Sequence, residues 1–139
     1  MAGNTENTEV LEVKTLLLTR SGSMAWEDAW EIKEIDGQMS LSHYSGDWSF
    51  YDGGKMEDCL EKRVALTDEE YAALCGKFQE LGVGSWDGFN ESDPDVMDGW
   101  GFSLEIELAD GTAITAYGSN ASPEGYHDFF DALTAHLAE

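Results

Sequence analysis

Between Asp87 and Gly99 the chain runs Asp-Gly-Phe-Asn-Glu-Ser-Asp-Pro-Asp-Val-Met-Asp-Gly, with five acids and an Asn in one short stretch. Carboxylates that close together are the ligands a hard cation such as Ca²⁺ takes. An EF-hand loop needs acids at its first, third and fifth positions, Gly at the sixth and Glu at the twelfth. Counted from Asp93, the fifth is Met97, the sixth Asp98 and the twelfth Leu104, so the motif fails. The stretch reads first as a solvated acidic loop in which Asp93 and Asp98 make local turn bonds. Ca²⁺ binding through 87–98 stays as an alternative, with Asp93, Asp95 and Asp98 as candidate ligands.

Other chemistry has less to stand on. The three His, at 43, 127 and 136, sit in no HExxH motif, and no Ser sits in GxSxG. His43 reads as a cross-strand neighbour of Trp30, and His136 as a charge on the last turn of a helix, where the dipole is negative. Gly118-Ser-Asn-Ala-Ser-Pro123 joins a strand to a helix, a place where backbone amides can hold an anion. Neither GxGxxG nor a Walker Lys is present, so Asn120 or Ser122 is expected there as a cap. Carboxylate pairs abound in so acidic a chain, and their presence alone argues no glycosidase. No catalytic residue and no cofactor is expected, and the enzyme class is set aside. Among Trp26, Trp48, Tyr51, Trp86 and Trp100, the first three sit in the least regular surroundings. Trp26, Trp48 and Tyr51 are therefore the candidates for a partner-binding surface.

Charge sets the class of partner. Against 29 Asp and Glu stand 7 Lys and Arg, a formal charge of −22. A field of that sign repels nucleic acid and anionic membranes and attracts a basic protein. The acids are spread along the chain, which suits a solubilising role. A mimic of the phosphate backbone, inhibiting a DNA- or RNA-binding protein, is the sharper alternative. Cys59 and Cys75 form no CxxC and are expected as reduced, buried thiols. Met1 to Glu9 lacks the basic head and apolar run of a signal peptide. The expected setting is cytoplasmic for the chain as it stands, and extracytoplasmic if a signal or lipid anchor precedes it.

The elements that must position these residues follow from pattern. At 139 residues the chain is long enough for one core without staples. Residues 1–9 are expected as a flexible acidic tail, with a single domain over 10–139. Leu11–Thr19 alternates Leu11, Val13, Thr15, Leu17 against Glu12, Lys14, Leu16, Leu18, a strand. Asp36-Gly37 is a strong two-residue hairpin signal, placing Ile32 opposite Leu41, Trp30 opposite His43 and Glu34 opposite Met39. Trp48–Tyr51 reads as a short strand, and Met56–Leu66 as another with Cys59, Glu61 and Arg63 on one side. Thr67-Asp-Glu-Glu70 matches a capping box, followed by an apolar stripe of Tyr71, Leu74, Cys75, Phe78 and Leu81, and a stop at Gly82. Val83–Gly99 is expected as loop. Trp100–Leu108 and Thr112–Gly118 flank Asp110-Gly111. A left-handed Gly111 in a three-residue loop pairs Ile106 with Ile114 and Leu104 with Ala116. The last helix is expected to start with Ser122 as cap and Pro123 in its first position, burying Tyr126, Phe129, Phe130, Leu133 and Leu137.

The order β-ββ-β-β-α-ββ-α implies an α+β fold: an antiparallel sheet of about six or seven strands with two helices packed on one face. The C-terminal third resembles a small bacterial domain of uncharacterised function. Trp100, Asp110-Gly111 and Gly118-Ser-Asn-Ala-Ser-Pro123 carry the resemblance, with Thr19–Met24 and Trp86–Phe89 upstream also similar. It implies no activity. The functional expectation is a non-enzymatic, strongly acidic protein-binding module.

Overall fold

Asp36 and Gly37 both have positive φ, 54° and 85°, the backbone a type I′ hairpin turn demands. The Asp-Gly pair thereby locks the register on either side: Ile32 lies opposite Leu41, Trp30 opposite His43 and Glu34 opposite Met39, as expected. A computed structural model describes residues 11–21, 27–46, 59–92, 101–119 and 121–137. Its elements are β1 (Val13–Ser21), β2 (Glu27–Ile35), β3 (Gln38–Gly46), β4 (Leu60–Ala65), α1 (Asp68–Glu80), a 3-10 turn (Val83–Trp86), β5 (Asn90–Ser92), β6 (Gly101–Leu108), β7 (Ala113–Ser119) and α2 (Tyr126–Ala135).

The fold is α+β, with one seven-stranded sheet in the order β4-β3-β2-β1-β6-β7-β5. Every pairing is antiparallel except β5 with β7, which is parallel. The all-antiparallel expectation is corrected there. The span expected as loop from Val83 contains both the 3-10 turn and β5. β5 has three exposed residues and no alternation to read. It forms because the outer edge of β7 offers it partners. The expected tail and the expected strand Trp48–Tyr51 lie outside the described residues.

Both helices bury their stripes on one face of the sheet. Leu74, Cys75 and Phe78 of α1 and Tyr126, Phe129 and Leu133 of α2 share one core with Leu16, Leu18, Ile32, Leu41, Leu104 and Ile106. Each such side chain contributes roughly 1.5–3 kcal/mol on leaving water. The capping box of α1 is complete: Glu70 N–H donates to Thr67 Oγ1 at 3.0 Å, and Thr67 N–H to Glu70 Oε1 at 2.9 Å. Tyr71 then donates its hydroxyl to the Val13 carbonyl at 2.7 Å, tying α1 to β1. Burial there pushes the Tyr71 hydroxyl pKa up, with Cys75 adding to the shift.

Two register shifts re-aim side chains that strict alternation misplaces. One falls between Val13 and Thr15 on β1. It turns Val13 into the helix-covered core beside Leu16 and Leu18, whereas alternation sets it with Leu17. The other falls in β4, where Tyr44 pairs with Leu60 but His43 with Lys62, leaving Glu61 unpaired. An extra residue in one strand moves everything beyond it to the other face. Leu60 thus joins Ala29, Tyr44, Leu17 and Cys59 in a second, smaller cluster away from the helices. Cys59 is only half-buried there, against the expected burial, while Cys75 is buried, and neither is in a disulfide.

The C-terminal hairpin pairs as expected, Ile106 with Ile114 and Leu104 with Ala116, around Gly111 at φ +93°. The helix after it starts later than expected. α2 begins at Tyr126 with Gly125 (φ 91°) as its cap, and neither Ser122 nor Pro123 takes the expected position. Pro123 instead accepts the Tyr126 N–H at 3.1 Å, closing a turn ahead of the helix.

Candidate functional site

Gly82 ends α1 in the left-handed conformation and swings the chain into the 3-10 turn, both ends of which are buried. Ser85 braces this corner by donating its N–H and its hydroxyl to the Gly82 carbonyl. Trp86 then packs edge-on to Phe129, with centroids 5.3 Å apart, and 6.4 Å from Tyr126. The next residues are stitched to the outer edge of β7. Asp87 Oδ1 accepts the Thr115 N–H at 2.9 Å, Gly88 N–H donates to the Thr115 carbonyl, and Tyr117 N–H to that of Phe89. Asp87, the first acid of the candidate Ca²⁺ loop, therefore serves as a surrogate strand partner.

This corner leaves a groove of about 580 Å³ between the end of α1 and the start of α2. Leu81, Trp86 and Phe89 supply its apolar lining, and Glu80, Glu124 and Asp128 its carboxylates. Glu80 is 3.8 Å from Lys77, an exposed pair. Asp128 lies in the first turn of α2, where the helix dipole favours an anion. From Phe78 to Glu139 the sequence contains no Lys or Arg, so most of the groove is built from cation-free chain. Such a volume suits an aliphatic stem with a charged end, and aromatic rings with nearby carboxylates suit a cation.

Two further polar clusters stand elsewhere. On the helix-covered face His43 Nε2 lies 3.0 Å from Asp28 Oδ1, and its ring stacks on Trp30 at 5.0 Å and 6°. Trp30 in turn meets Phe130 edge-on, and Arg20 sits 4.7 Å over the Phe130 ring. Ser45 is directly opposite Asp28 in the ladder. His43 is thus held by the Asp28 carboxylate and the Trp30 ring stack. His127 is exposed beside Tyr126, and His136 is the C-cap of α2.

On the opposite face the Tyr44 hydroxyl donates to Glu31 Oε1 at 3.0 Å and accepts from an Arg63 guanidinium nitrogen at 3.0 Å. Arg63 Nε donates to Ser42 Oγ at 2.7 Å. Burial, then the Glu31 charge, pushes the Tyr44 pKa up to about 12. The hydroxyl keeps its proton at neutral pH and acts as a donor. Lys33 approaches Glu31 at 3.5 Å, so these charges are largely paired among themselves.

Of the residues singled out by sequence, Trp26, Trp48, Tyr51, Asp93, Asp95 and Asp98 lie outside the described residues. Among the described residues no group of three or more His, Cys, Asp and Glu is placed to share a metal ion. No described helix is long and apolar enough to cross a membrane. Gly118 of the Gly-Ser-Asn-Ala-Ser-Pro segment has a packing role: a Cβ on it would meet the Ala121 carbonyl and the Phe102 ring. The segment does not lead directly into α2, so an anion there has no helix N-terminus to bind. In the sequence the groove is marked only by Trp86 and Phe89. Its remaining lining comes from three elements brought together only by folding. No family model, no curated protein and no solved structure matches this chain.

Proposed function

We propose that this chain is a non-enzymatic module that binds a basic segment of another protein. One observation carries the reading: among the described residues, each Lys and Arg has a partner within the chain. Lys14 lies 3.8 Å from Glu107, Lys33 3.5 Å from Glu31 and Lys77 3.8 Å from Glu80. Lys62 donates to the Leu137 carbonyl at 2.7 Å, Arg63 to Ser42 and Tyr44, and Arg20 covers Phe130. Lys55, the remaining one, lies outside the described residues. Carboxylates therefore set the field that a partner meets, with a net charge of −22 behind them. Such a field steers a basic protein and speeds its encounter. The phosphate-mimic alternative has less behind it, because Glu31 and Glu107, on the sheet face away from the helices, are each shared with a lysine.

The test is calorimetric titration with two short peptides, one alternating arginine and leucine, the other glutamate and leucine. The basic peptide should bind saturably in dilute buffer and weaken toward about 0.15 M NaCl, where the screening length is about 8 Å. Absence of saturable binding in dilute buffer, or equal binding of the acidic peptide, would overturn the reading.

A further inference from the structure

We infer that the groove between the end of α1 and the start of α2 is where the basic partner docks, through a lysine or arginine beside an apolar residue. This rests on the proposed function and goes further by placing the interface. The groove joins the two features such a segment needs. Leu81 and Phe89 are part-exposed, and with Trp86 they offer an apolar wall at the depth of a side-chain stem. Glu80, Glu124 and Asp128 are exposed around it, within reach of a cationic end. Charge complementarity selects the occupant. Glu80 has Lys77 nearby, whereas the segment that carries Glu124 and Asp128 has no Lys or Arg at all. On the sheet face away from the helices, Glu107 and Glu31 stand beside Lys14 and Lys33. The groove is also rigid on its inner side, because Trp86 is wedged against Phe129 and Tyr126. A preformed wall loses less order on binding.

The experiment compares two variants of equal charge change by calorimetry with the arginine–leucine peptide. Glu80→Gln, Glu124→Gln and Asp128→Asn remove the groove carboxylates. Glu34→Gln, Glu61→Gln and Glu105→Gln remove three exposed carboxylates elsewhere. The groove variant should lose about tenfold in affinity, the summed effect of three partly exposed charge contacts, and the control variant much less. An arginine–serine peptide should bind the unaltered chain more weakly than arginine–leucine, since it leaves the apolar wall uncovered. Equal losses from both variants, or equal affinity for the two peptides, would overturn the groove as the docking place while leaving a charge-driven interaction intact. No saturable binding of any basic peptide would overturn both.

Discussion

Adding a single methyl group to Gly118 is expected to destabilise this fold more than any other glycine-to-alanine change among the described residues. A Cβ there would run into the Ala121 carbonyl oxygen and come to 2.5 Å from Phe102 Cε1, while real Cβ atoms essentially never come within 3.0 Å. Gly118 is the direct cross-strand partner of Phe102, whose ring lies across it. That ring is 5 % exposed and packs 4.7 Å from Tyr126 and 6.2 Å from Phe89. Relief requires either the Ala121 backbone or the Phe102 ring to move by close to an ångström. Overpacking of this kind costs about 1–3 kcal/mol, and partial loss of a buried Phe costs more. We expect about 3 kcal/mol for Gly118→Ala, a fall in Tm of roughly 10 °C for a domain of this size. The internal control is Gly76→Ala. Gly76 is inside α1 with nothing within 4 Å of its Cβ position, so the same methyl should stabilise by about 0.5–1 kcal/mol through helix propensity. Urea melts of both variants, with m-values compared, provide the measurement. A Gly118→Ala melt that matches the unaltered chain would refute the close approach of Phe102 and Ala121, and with it the packing role of the Gly-Ser-Asn-Ala-Ser-Pro segment.

Thr67→Ala removes the acceptor for the Glu70 N–H and should cost about 1 kcal/mol, read as a shifted urea midpoint with unchanged m. Gly111→Val should cost about 1–2 kcal/mol, because φ is +93° there although no atom stands in the way; Gly88→Val, at φ +89°, carries the same backbone penalty and should track it. Tyr44 and Tyr126 are both raised from 10.0 to about 12, chiefly by burial, Arg20 partly offsetting the shift at Tyr126. A raised pKa favours the protonated folded state, so their contribution is fully present below pH 10 and lost as pH rises toward 12. Tyr44→Phe or Tyr126→Phe should therefore remove only tyrosinate absorbance that rises in step with loss of near-ultraviolet circular dichroism; loss of absorbance that rises near pH 10 while the chain is still folded would contradict the geometry. Between dilute buffer and about 0.15 M NaCl the Tm should increase, as screening relieves self-repulsion at a net charge of −22. A fall in Tm over that range would mean that pairs such as Lys14–Glu107 outweigh the repulsion.

What the sequence determined by itself is what short-range chemistry can specify. Asp36-Gly37 dictated a turn that only two positive-φ residues fit, and with it the pairing of Trp30 with His43. Gly111 did the same for Ile106 and Ile114, and Thr67 with Glu70 set the start of α1. In each case the partners lie within one hairpin or one helical turn, so residue type and spacing suffice. Tertiary structure decided the rest. The register shifts at Val13 and Glu61 follow from how β1 and β4 must meet β6 and β3, and alternation along one strand has no knowledge of its neighbour. β5 exists because Asp87, Gly88 and Phe89 bind the edge of β7 and deliver Asn90 to it. α2 begins at Tyr126 and not at Pro123 because the segment before it folds back over Gly118, overriding a favourable Ser-Pro start. The groove is the furthest from sequence of all: Glu80, Trp86, Phe89, Glu124 and Asp128 come from separate elements, and only packing of both helices against the same sheet face brings their side chains around one space.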